Sequence, residues 1–113
     1  MSAGLRERLR AALPTAMKSR DRTAIAVLRT VLSTLDNAEA VGGEVGGQAI
    51  EQVAIGVGTT EAERRVLSEE EVAALVQQEV TERMSAAAAY ERRGQVERAA
   101  QLRTEAAYLD GFR

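Results

Sequence analysis

Carboxylates, guanidinium groups and one lysine are the strongly polar side chains with which this chain could do chemistry, because its 113 residues include neither histidine nor cysteine. Their absence removes the commonest general base, the commonest transition-metal ligand and the best soft nucleophile. The run Glu69, Glu70, Glu71 has the acid count of a metal site. Consecutive helix residues point to different sides, however, and acids in a first helical turn are accounted for by the helix dipole and a cap. Glu79 and Glu82 do not reproduce the paired Glu-x-x-His arrangement of helical di-metal bundles. The stretch GGEVGG lacks the Lys-Ser and the strand-to-helix setting of a phosphate loop. The reading is therefore a protein with no catalytic residue, no metal and no cofactor.

Two polar sets remain. Arg6, Arg8, Arg10, Lys18, Arg20 and Arg22 stand against only Glu7 and Asp21 in residues 1–22, whereas residues 61–82 hold seven acids against Arg64 and Arg65. The basic set is suited to a phosphate backbone; without supporting aromatics, the competing reading is a solvated face that complements the acidic third helix. Arg29, Glu79 and Arg83 form the second set, polar residues bordering apolar stripes. Glu79 precedes Arg83 by four positions, the favourable order for an ion pair along a helix, and such a pair serves to fix helix register.

The elements that must carry these residues are helical. The clearest is predicted over about 69–93, within the stretch from Leu67 to Gly94. Ser68 and Glu71 have the spacing of a capping box, Leu67 and Val72 that of a hydrophobic staple, and Gly94 is a left-handed stop. Val72, Leu75, Val76, Val80, Met84, Ala87 and Ala88 recur at helical spacing. A first helix is predicted over about 3–18, with Ser2 as a candidate cap, a stripe of Leu5, Leu9, Ala12, Leu13, Ala16 and Met17, and a kink or break at Pro14. A second covers about 22–40, capped by Asp21. It turns Ala24, Ile25, Leu28, Val31, Leu32 and Leu35 inward and leaves Glu39 exposed in its last turn. The fourth, about 95–110, offers Val96, Ala99, Ala100, Leu102, Ala106 and Leu109.

The segment 42–66 holds six of the nine glycines. Its alternation at Val53, Ile55 and Val57 suits a short strand or an extended strip; the favoured reading is a partly ordered loop whose Ile50, Val53 and Ile55 cover the bundle, with a helical turn at residues 61–65. Hydrophobic residues make up 45% and aromatics only 3% of the chain, a composition of close-packed helices. The fold class expected is all-α: one domain, a four-helix bundle made of two antiparallel hairpins joined by a long Gly-rich loop. No apolar run approaches the ~20 residues of a membrane span, no signal peptide is legible, and the absence of cysteine fits a cytoplasmic protein.

These residues carry a resemblance. DRTAIAVLRTVLSTLDNAE, followed by LSEEEVAALVQQEVTERMSAAAAYERRGQVERAAQLRTEAAYL, resembles proteins with the GatB/YqeY domain. The likeness is spread over Met17 to Asp21, Leu28 and Arg29, the capped start at Ser68, Glu79 and Arg83, Tyr90 before Gly94, and Tyr108 with Leu109. It implies a helical bundle, followed in longer members by a small helical tail that is implicated, in the amidotransferase subunit sharing the domain, in holding tRNA. Three features depart from the pattern: segment 42–66 is longer than the usual link, Gln95 stands where a basic residue is usual, and the chain stops at LDGFR where the tail would begin. The function implied is a small non-catalytic accessory to tRNA-dependent amidation or RNA binding, with tRNA or an amidotransferase-type protein as partner. The alternative is a homodimer or protein-interaction module built on alanine-rich faces such as Ala86 to Ala89.

Overall fold

The computed structural model describes residues 4–40 and 66–113, and among them the chain is entirely helical. Helix α1 spans Leu5–Ser19, α2 Arg22–Ala40, α3 Glu69–Arg92 and α4 Val96–Asp110. The readings for Ser2, for Ile50, Val53 and Ile55, for the alternation through Val57 and for a turn at 61–65 lie outside the described residues.

Packing is most extensive between α3 and α4, then between α1 and α2; α2 touches both later helices and α1 touches α3. The main core draws Leu5, Leu9 and Ala16 from α1, Ala24, Val27, Leu28, Val31 and Leu35 from α2, Val72, Val76 and Val80 from α3, and Ala106 and Leu109 from α4. On α2 the buried positions recur every three or four residues, the stripe that a 3.6-residue helix turns to one side. Val27 belongs to that stripe although the sequence reading omitted it. A second, smaller core of Ala87, Ala99 and Leu102, with Ala86 and Tyr90 packed on it, is made by α3 and α4 alone.

Several expectations are corrected. Of the kink or break expected at Pro14, the break does not occur: α1 is a single helix that continues through it. Pro14 and Arg10, the residue whose carbonyl loses its partner, are both exposed, so that carbonyl is not left buried while Leu9 and Ala16 hold the opposite face in the core. The helix begins at Leu5 and not at Ala3, with Gly4 at its cap. Met17, Met84 and Val96, read as core, are 48%, 46% and 63% exposed, because each lies at the edge of its stripe where no neighbouring helix reaches it. Ala100 is likewise exposed.

The two short connections close in the same way. At the first, Asp21 N–H donates to the Ala16 carbonyl (3.0 Å) and Arg20 N–H to that of Met17 (3.2 Å); at the second, Gln95 donates to Tyr90 (2.9 Å) and Gly94 to Glu91 (2.9 Å). Both are Schellman turns, which require one left-handed residue. Gly94 takes it at φ 82°, and the first turn places Arg20 there at φ 60°.

Candidate functional site

Where α1 and α3 begin, carboxylates are held by the fold. Ser68 Oγ accepts from the Glu71 amide (3.0 Å) while Glu71 accepts from the Ser68 amide (2.9 Å), the capping box legible in the sequence. Glu69, expected to serve the dipole of its own helix, reaches across to accept from the Leu5 amide at 2.8 Å and so caps α1. Gly4 leaves room for this, since a Cβ there would stand 2.8 Å from a Glu69 oxygen.

Glu39 is the clearest correction in the polar set. Its place in the last turn predicts an exposed side chain, but that side chain is only 18% exposed and accepts from Arg6 (2.6 Å) and from the Leu67 amide (2.9 Å). Arg6 also reaches Asp36 at 2.6 Å. The Arg6 bond, then the Leu67 bond, hold the Glu39 carboxyl below its ordinary value, and the same contact with Glu39 raises Arg6. A carboxylate in a last turn is affordable here because one guanidinium and one amide satisfy it.

The register cluster forms with different membership. Arg83 donates to Glu79 at 2.6 Å and to Glu105 of α4 at 3.2 Å, with all three side chains under one fifth exposed. Gln101 bonds both Glu105 and Thr23 of α2, each at 3.2 Å, which ties α2 to α4. Thr34 lies 3.5 Å from Glu79. Arg29 is exposed on α2 and pairs with no acid among the described residues; Glu105, 22 residues along the chain from Arg83, joins Glu79 and Arg83 in its stead.

Among the described residues, no group of acids is arranged to hold a metal ion, and no helix is long and apolar enough to cross a membrane. Comparison with protein-family models, with curated proteins and with solved structures gives no match for this chain.

The basic set read from the N-terminus is divided by the fold. Arg6 is taken up by its two acids, Arg8 donates to the Phe112 carbonyl, and Arg10 is exposed near Glu39. Lys18, Arg20 and Arg22 are exposed at the α1–α2 turn, far along α1 from Arg6. Around the α3–α4 turn, Arg92, Arg93 and Arg98 are exposed as well. Sequence reasoning used ERRG at 91–94 as a helix stop and missed its two arginines as surface charge. The signal was their adjacency to a turn, where side chains escape packing.

Proposed function

We propose that the chain is a small non-catalytic cytoplasmic protein of the GatB/YqeY kind, built as two antiparallel hairpins joined by the Gly-rich segment 42–66, that binds RNA as an accessory to a process such as tRNA-dependent amidation. The observation that carries this reading is the exposure of Lys18, Arg20 and Arg22 without acid partners among the described residues, in a chain whose formal net charge is -2. A chain with excess acid that leaves cations uncompensated at one place has a local positive potential there. The carboxylates support binding in preference to chemistry, because Glu39, Glu69, Glu71, Glu79 and Glu105 all accept bonds that cap or join helices.

Titration of labelled bulk tRNA, followed by anisotropy, tests the proposal. Binding at ~50 mM salt that weakens steeply as salt rises is the expected result; no binding at that salt sinks it. The half-exposed Met17 and Met84 favour a second reading, a homodimer or a module for an amidotransferase-type protein partner. Sedimentation of the same sample addresses it, and a monomer at high concentration rules out the homodimer.

A further inference from the structure

The two Schellman turns lie at one end of the molecule. The bond from Gln101 to Thr23 joins the second turn of α4 to the first turn of α2, so the α1–α2 connection sits beside the start of α4. Gln101 is five residues into α4, about 8 Å along its axis at ~1.5 Å per residue, so the α3–α4 turn projects past the α1–α2 turn by roughly that height. The second core, built by α3 and α4 without the other pair, is the packing of this projecting part. The result is a step with cations on both levels: Lys18, Arg20 and Arg22 on the lower, Arg92, Arg93 and Arg98 on the upper.

Counting Arg103, seven cations stand at this end against three acids. Asp21 accepts from the Ala24 amide (3.0 Å) as the cap of α2, and Glu91 holds Arg103 at 2.5 Å; Glu97 is the remaining exposed acid. The guanidinium carbons of Arg93 and Arg98 stand 5.6 Å and 5.7 Å from the centre of the Tyr90 ring. Stacking on an aromatic face uses the plane of a guanidinium and leaves its N–H edges for an acceptor, which also limits the entropy lost on binding.

We infer that this stepped basic end is a binding site for a nucleic-acid phosphate backbone, formed jointly by the α1–α2 and α3–α4 turns, the nucleic acid being RNA on the reading above. The inference rests on the RNA-binding reading above and relocates the contact from the N-terminal arginines to the two turns. Five of the six cations are arginines, whose planar forks match phosphate oxygens two at a time. A membrane surface is flat and would meet the projecting turn while the lower level stayed clear of it. A backbone strand follows a step and engages both.

Two variants of the full chain, each taking the formal net charge from -2 to -5, decide the matter. One is Lys18→Gln, Arg22→Gln, Arg92→Gln; the other, remote from the turns, is Gln77→Glu, Gln78→Glu, Arg113→Gln. With bulk tRNA at ~50 mM salt, the first variant is expected to bind about tenfold or more weaker and to lose about two to three from the slope of log K against log salt, while the second stays within about twofold. Equal weakening by both, or an unchanged first variant, overturns the site while leaving RNA binding in place. Absence of tRNA binding by the unaltered protein overturns both readings together. Turn-dependent binding to phosphatidylglycerol vesicles in preference to tRNA overturns the assignment to RNA. If circular dichroism reveals lost helix in the first variant, Arg22→Gln alone decides: a slope reduced by about one supports the site, and an unchanged slope refutes it.

Discussion

The two ends of this molecule carry comparable amounts of charge and use it in opposite ways. Where α1 and α3 begin, Glu69 caps a neighbouring helix, Glu71 completes a capping box, and Glu39 and Asp36 hold Arg6. At the turns, Lys18, Arg20 and Arg22 project without acid partners among the described residues, and Arg93 and Arg98 rest on Tyr90. Charge at the first end satisfies backbone groups and other charges, and contributes to folding. At the second end, Lys18, Arg20 and Arg22 take no part in such bonds, and the proposed RNA contact rests on them. Composition cannot distinguish the two uses, since both ends draw on the same arginines and glutamates.

The comparison extends to packing, where the largest effect is expected. Leu35 is fully buried in the core shared by both helix pairs, whereas Leu102 packs chiefly among alanines in the core of the projecting turn and is 7% exposed. Leu35→Ala is expected to cost about 3–4 kcal/mol and Leu102→Ala about 2 kcal/mol, because the second site has fewer large neighbours to leave around a cavity. Denaturant unfolding measures both. Equal losses would mean that the projecting end is as tightly built as the other.

The turns themselves should respond with opposite signs. Gly94→Ala places a Cβ at φ 82° with nothing within 4 Å of it, so its cost is conformational alone and is expected to be about 1 kcal/mol. Arg20→Gly relieves a left-handed residue at φ 60° and is expected to stabilise by about 0.5–1 kcal/mol. Thermal melts of the two variants moving in the same direction would contradict the shared turn geometry.

The smallest effect concerns Glu39, and it is read through pH. The Arg6 contact and the Leu67 amide lower its carboxyl below the reference value of 4.5, so its contribution is present above that pH and is lost as pH falls through the folded value. Glu39→Gln is therefore expected to melt lower than the unaltered protein at neutral pH, with the difference closing in acid. A gap that persists unchanged below the folded value would show that shape, and not charge, is what Glu39 contributes.

Much of the helical structure was legible because its signals are local. The Ser68–Glu71 box, the Asp21 cap and the Gly94 stop each act within four residues, and α2 begins and ends where its pattern does. Pro14 suggested a break that does not occur, because its side of α1 faces solvent, where the carbonyl it frees is not buried. Glu39 misled because its partners, Arg6 and the Leu67 amide, are 33 and 28 residues away. The candidate site was half visible: Lys18, Arg20 and Arg22 stood out as charge, but nothing in the order of residues brought Arg92, Arg93 and Arg98 beside them.

The amino-acid sequence by itself determined helix type, caps and stripes, because these depend on neighbours three and four positions apart along one backbone. The tertiary structure alone decided which charges are consumed and which remain. That choice depends on which helix ends meet: Glu69 at Leu5, Glu39 at Arg6, and Gln101 at Thr23, the bond that sets one basic turn beside the other.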